Sequence, residues 1–140
     1  MREISDVLAR FIVTYINETR ITLPERALLV PIPLHRKRLR ERGFNQAEVI
    51  AKSLAKALSI PLENNILMRA KYAPPQTTMK TRKEREENAK NLYAVAAPIP
   101  DGATIILVDD VSTTGATLEE AARVLKEARA KQVWAFTAAR

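Results

Sequence analysis

The stretch Ile105-Ile106-Leu107-Val108-Asp109-Asp110-Val111-Ser112-Thr113-Thr114-Gly115-Ala116-Thr117 decides how this chain folds. Its first four residues are apolar, mostly β-branched, and read as a buried parallel strand. Two adjacent carboxylates stand where that strand should end, followed by a short hydroxyl-rich loop with one glycine. Leu118, Ala121, Ala122, Leu125 and Ala128 then recur at helical spacing. A strand, a loop and a helix N-terminus in that order present unpaired backbone N–H groups and the positive end of a helix dipole to an anion.

The residue types narrow the anion. Thr113, Thr114 and Thr117 can each donate a hydroxyl hydrogen bond to a phosphate oxygen. Gly115 allows close backbone approach or a positive φ. Asp109 and Asp110 only accept, so they suit sugar hydroxyls, and a ribose 5-phosphate satisfies both halves of the stretch at once. The plainer alternative is a strand end and a capped helix, with Thr114 or Ser112 as N-cap and the aspartates as solvated turn residues. Neither G-x-x-x-x-G-K-[ST] nor G-x-G-x-x-G occurs, and three glycines leave little material for a glycine-rich loop.

Outward from this stretch the chain alternates strands and helices. Ile4, Val7, Leu8, Phe11, Ile12, Tyr15 and Ile16 form a wide helical stripe, so residues 1–20 are expected as an amphipathic helix packed on the core or on a second copy, a homodimer. Ala27 to Ile32 reads as the first buried strand. Pro33 to Gly43 reads as a basic loop, and Phe44 to Leu58 as a helix with Asn45 as a plausible cap. Ile66 to Met68, Leu92 to Ala96, Thr104 to Val108 and Gln132 to Ala138 read as further strands. Tyr72 to Met79 is a proline-bearing loop, and Thr81 to Lys90 is highly charged and helix-prone. The expected fold is α/β: a parallel twisted sheet with helices on both faces over residues 27–140, with the extra N-terminal amphipathic helix ahead of it.

Composition restricts the function classes. At 140 residues the chain is one domain, and 46% hydrophobic with 28% charged residues is ordinary for a globular protein. With zero cysteines there is no disulfide and no cysteine-based zinc site. No apolar stretch is long enough to span a membrane and the N-terminus is not signal-like, so the expected location is cytoplasmic. A net charge of +7 favours phosphorylated small molecules or nucleic acid, without separating the two.

Ligands of open α/β sheets bind beyond the carboxyl ends of strands. If the strands at Ala27 and Thr104 are neighbours, Leu34, His35, Arg36 and Lys37 face the acidic pair across a cleft and put cationic groups opposite the phosphate loop. His35, the single histidine, is expected to cap or to contact an anion. Asn45 and Gln46 are expected either to fix the loop and helix start or to touch ligand. Lys80 to Arg85, with Arg82, Lys83 and Arg85, is either a flexible loop whose cations close over the ligand or an exposed helix with i,i+4 pairs such as Arg82–Glu86.

The apolar strand, Asp-Asp and Thr-Thr-Gly-x-Thr together resemble the phosphoribosyl-pyrophosphate motif of type I phosphoribosyltransferases. Ser112 departs from it, standing where that family usually has an apolar residue. Val30-Pro31-Ile32-Pro33-Leu34-His35, then Arg40-Glu41-Arg42-Gly43-Phe44-Asn45-Gln46-Ala47, Pro75-Gln76-Thr77, Arg85, Asn88, Tyr93 and the closing Thr137-Ala138-Ala139-Arg140, resemble the ComF-type branch known from bacterial competence proteins. Many members of that branch carry an N-terminal cysteine-rich zinc segment, which has no counterpart here.

The resemblance implies that Asp109 and Asp110 bind the ribose hydroxyls and act catalytically, and that Val111, Ser112, Thr113, Thr114, Gly115, Ala116 and Thr117 cradle the 5′-phosphate. It implies a pentosyl transferase, a glycosyltransferase of nucleoside metabolism. Phosphoribosyl pyrophosphate or a nucleotide would be its ligand, its pyrophosphate met by Leu34, His35, Arg36 and Lys37 and covered by Arg82, Lys83 and Arg85, with Mg²⁺ held indirectly by Asp109 and Asp110 through ligand or water. It also implies a role in competence and DNA uptake. Two non-catalytic alternatives stand beside this: a module binding single-stranded DNA, and a sensor of a phosphoribosyl ligand.

Overall fold

The computed structural model describes residues 2–70, 81–84, 90–111 and 115–139, apart from the side chains of Arg2, Val111 and Ala139. Three parallel strands carry the fold: β1 (Ala27–Pro31), β4 (Thr104–Val111) and β5 (Gln132–Ala139), in the order β1-β4-β5. β4 is central because it can be buried on both faces: Ile105, Ile106, Leu107 and Val108 are all fully buried. Its register sets Pro31 against Val108 on one side and Thr137 against Asp109 on the other.

The period of two along β4 divides the core into two layers. Ile105 and Leu107 meet Val30 and Ile32 under α4 (Ala116–Glu127), whose Ala121 and Leu125 are buried against them. Ile106 and Val108 meet Leu29 on the opposite face, under α3 (Gln46–Leu58), through Ile50, Ala51 and Leu54. The N-terminal stripe forms α1 (Arg2–Thr19), which packs beside α3 and against β5 and buries Ala9, Ile12 and Ile16 in that second layer.

Two segments depart from expectation. The strands near residues 67 and 94 do not extend the parallel sheet. β2 (Leu67–Arg69) and β3 (Tyr93–Val95) pair antiparallel with each other as a separate two-stranded hood, and Leu67, Leu92 and Tyr93 pack into the first layer. Three-residue strands carry too little periodicity to reveal their partner. The basic stretch expected as loop contains a helix, α2 (Arg36–Arg42). The His35 side chain accepts from the Lys37 N–H at 3.2 Å to start it. Gly43 ends it in the left-handed region at φ +81°, its N–H donating to the Leu39 carbonyl at 2.7 Å. None of α2 is buried, so local capping makes the helix and core packing plays no part. Among the described residues, no helix is long and apolar enough to cross a membrane.

Candidate functional site

The site forms where β1 and β4 end side by side. The Ile32 N–H donates to the Val108 carbonyl at 2.9 Å, one residue before the acidic pair, so the segment leaving β1 starts against the end of β4. That segment carries Leu34 and His35, both partly buried, and then the exposed Arg36 and Lys37 of α2. The neighbour relation expected between these strands is therefore present.

Asn45 holds this segment in place. Its Nδ2 donates to the Ile32 carbonyl at 3.0 Å, while its Oδ1 accepts from the Ala47 N–H at 3.1 Å and caps α3. One amide thus joins a helix start to the segment that leaves β1. The adjacent Gln46 donates from Nε2 to Ser5 Oγ at 3.0 Å and joins the same corner to α1. Both residues act in this structure as the loop-fixing and helix-starting groups that their sequence position suggested.

On β4, alternation turns Asp109 toward the face of Leu107, under the hood and α4, and Asp110 toward the face of Val108 and α3. Both carboxylates are partly buried, and the Asp110 N–H donates to Asp109 Oδ1 at 2.9 Å. Burial, followed by the side-chain hydrogen bond and charge of Asp110, pushes Asp109 up to about 7. Val111 closes the strand. Ser112, Thr113 and Thr114 lie outside the described residues, but the N-cap of α4 falls on Gly115 rather than on Ser112 or Thr114, the plainer alternative, because the helix begins at Ala116. Gly115 occupies the N-cap position of α4 at φ +82°, a backbone that L side chains rarely adopt, and contributes no side-chain cap. Ala116 is buried and Thr117 partly buried in the first turn. Of the flexible-loop residues, Arg82 and Lys83 are exposed on a helical turn, and Arg85 lies outside the described residues together with Glu86.

Sequence reasoning gave no role to the hood's polar pair. Arg69 stacks over the Tyr93 ring, 5.4 Å from its centroid, and its Nη1 donates to Tyr93 Oη at 3.5 Å. Tyr93 is buried. Burial pushes its phenol up; Arg69 opposes that shift and the charge of Asp109 adds to it. Twenty-four residues separate Arg69 from Tyr93, and only the antiparallel pairing brings them together. A cation at the end of a predicted strand, and Tyr93 among the residues that resemble the ComF-type branch, were the signals available.

The model of the phosphoribosyl transferase domain matches residues 45–140. Competence protein F of Haemophilus influenzae is 34% identical over 144 residues, covering 97% of this chain and 62% of that protein. DNA utilization protein YhgH of Escherichia coli is 33% identical over 138 residues, covering 94% of this chain and 59% of that protein. The chain thus spans about three fifths of the length of these curated relatives. Among solved structures, glutamine phosphoribosylpyrophosphate amidotransferase from B. subtilis superposes with a TM-score of 0.54 at 16% identity, over 98% of this chain and 25% of that one, a likeness of fold.

Proposed function

The chain belongs to the phosphoribosyl transferase domain family, in its ComF-type branch, and on that premise we propose that it binds phosphoribosyl pyrophosphate at the ends of β1 and β4 and transfers the phosphoribosyl group to a nitrogenous acceptor. The observation that carries this reading is the adjacency of the two loops, given by the Pro31–Val108 register and the Ile32–Val108 hydrogen bond. It brings a carboxylate pair and a cation-bearing segment to one end of the sheet, as a sugar joined to a pyrophosphate requires.

Asp109 and Asp110 accept from the ribose 2′ and 3′ hydroxyls. Residues 111–117 receive the 5′-phosphate at the start of α4, where Gly115 adds no side-chain bulk. The segment Leu34 to Lys37 meets the pyrophosphate with main-chain N–H groups and with Arg36 and Lys37. The acceptor nitrogen attacks C1 and forms the C–N bond. The C1–O bond breaks, its electron pair leaves on the pyrophosphate, and the acceptor nitrogen releases a proton to solvent. Positive charge grows on the ribose, and an acidic pair beside the ring stabilises it. Orientation and charge therefore suffice without a dedicated acid or base.

The donor set suits Mg²⁺ in one way only. Among the described residues no three acidic, histidine or cysteine side chains gather as a cage. Two carboxylates fit an ion held mainly by substrate oxygens and water. When bound, that ion neutralises charge on the leaving pyrophosphate. The test is calorimetric titration with phosphoribosyl pyrophosphate, with and without Mg²⁺. Binding that strengthens with the metal and is weakened by Asp110→Asn or Thr114→Ala, with the melting transition kept, is expected. No binding in either condition refutes the reading.

One observation favours a second reading in the branch's competence role. α2 presents Arg36, Lys37, Arg38, Arg40 and Arg42 with no buried residue, a cationic surface suited to a phosphodiester backbone. Single-stranded DNA is its ligand in that reading. The expected result is an affinity that falls steeply with salt and with joint loss of Arg36, Lys37 and Arg40. Affinity indifferent to both removes it.

A further inference from the structure

Ser5 breaks the pattern of α1. Ser5, Ala9, Ile12 and Ile16 recur at helical spacing and form the buried stripe of that helix, yet the first of them carries a hydroxyl, and it is fully buried. An apolar side chain there would add to the core, whereas a buried hydroxyl has first to find a partner. The partner is Gln46, whose Nε2 donates to Ser5 Oγ at 3.0 Å. The other end of that amide, Oε1, is buried with no hydrogen-bond partner among the described residues. Packing of α1 on α3 does not require this pair, because Ala9, Ile12 and Ile16 already join Ile50, Ala51 and Leu54 in one apolar layer. Relative to two apolar groups, the pair gives up stability and gains a fixed direction.

What that direction governs lies one residue away. Gln46 follows Asn45, whose Nδ2 donates to the Ile32 carbonyl at 3.0 Å. That carbonyl belongs to the planar peptide group joining Ile32 to Pro33. The Ile32 N–H is held in turn by the Val108 carbonyl at 2.9 Å, and the ring of Pro33 locks its own φ. Little rotational freedom is left between the end of β1 and Leu34. The heading of Leu34 to Lys37 therefore follows from where Asn45 stands, at the N-cap of α3, and Gln46 ties that same turn to α1.

We propose that Ser5 and Gln46 are positioning residues for the pyrophosphate end of the site: α1, docked through them, sets the path of Leu34 to Lys37 by way of Asn45 and the Ile32 carbonyl. This rests on the assignment of that segment to the pyrophosphate. Both residues act through Asn45 and not on the ligand itself. Asp109 and Asp110, assigned to the ribose, are placed instead by β4, which β1 and β5 hold on its two sides. The consequence is selective. Disturbing the corner where α1 meets α3 loosens the hold on a pyrophosphate and spares the hold on a ribose 5-phosphate.

Calorimetric titration of the full chain with ribose 5-phosphate and with phosphoribosyl pyrophosphate, both in Mg²⁺, tests this through the ratio of the two affinities. Ser5→Ala and, separately, Gln46→Leu should each lower the affinity for phosphoribosyl pyrophosphate about tenfold and leave that for ribose 5-phosphate within about twofold of wild type. Ser53→Ala is the control. It removes another link between α1 and α3, in which Ser53 Oγ donates to Asp6 Oδ1 at 2.6 Å, and leaves the Asn45 corner intact. It should keep the wild-type ratio whatever it costs in melting temperature. A ratio unchanged in either variant, an equal loss for both ligands, or a ratio moved as far by Ser53→Ala overturns the positioning role while the ligand assignment stands. A wild-type chain that binds neither ligand refutes that assignment and the positioning role with it.

Discussion

Asp109 and Asp110 share a strand end but face opposite sides of the sheet, and the surroundings of Asp109 have a measurable consequence. Asp109 is held at about 7 against its ordinary 3.8, chiefly by burial. A carboxyl raised in this way takes up a proton on folding. Its contribution to stability is full below about pH 4, declines as pH rises, and is gone above about pH 7. Asp109→Asn removes the charge that burial opposes. The variant should therefore melt like wild type near pH 4 and higher than wild type at pH 8, by about 2 kcal/mol in the ligand-free protein. Thermal melts across pH check this, and equal curves at pH 8 would count against the burial of Asp109. Gly115 gives a second residue-scale expectation. At φ +82°, with only Glu119 Oε1 of the described residues within 4 Å of an added Cβ, Gly115→Ala meets backbone strain. The expected cost, from chemical denaturation, is about 1 kcal/mol.

At the scale of elements, Asn45 couples the start of α3 to the segment leaving β1. Asn45→Ala removes the helix cap and leaves the Ile32 carbonyl without its amide donor, for a combined loss of about 2 kcal/mol. Asn45→Ser keeps an acceptor that caps the helix and loses the amide donor to Ile32, so it should cost less than the alanine variant. Denaturant unfolding of the pair orders them, and the reverse order would refute the double role. Asn45 was legible in the sequence as a cap, because capping is local. Its bond to Ile32 was not, because a contact across 13 residues depends on where α3 docks. The same reason hid Arg69 and Tyr93. The helix α2 went unread for a different reason: its stop signal, Gly43, was visible, but an unburied helix lacks the apolar periodicity that announces one.

At the scale of the whole molecule, α1 separates packing from presentation along one helix. Ile12 is buried against the α3 layer, while its neighbour Phe11 points outward. Ile12→Ala should cost about 2–4 kcal/mol, and Phe11→Ala less than about 0.5 kcal/mol in dilute protein. Chemical denaturation at low concentration measures both, and similar costs would mean that the helix is rotated from this orientation. The stripe from Ile4 to Ile16 announced an amphipathic helix, but its width alone could not tell one buried face from two.

What the sequence alone determined is what short-range chemistry encodes. The unbroken apolar run Ile105–Val108 specifies a strand buried on both faces, the carboxylates after it mark where that strand ends, and helical spacing in Gln46–Leu58 and Ala116–Glu127 specifies the covering helices. Tertiary structure alone decided which strands are neighbours, which edge stays open, and which distant side chains share a site. β1 lies beside β4, Arg69 meets Tyr93, and β5 keeps one edge unpaired among the described residues. Backbone hydrogen bonds between strands are alike whatever the side chains. The order of strands is therefore settled by how the two core layers pack against them, which is a property of the assembled chain rather than of any segment.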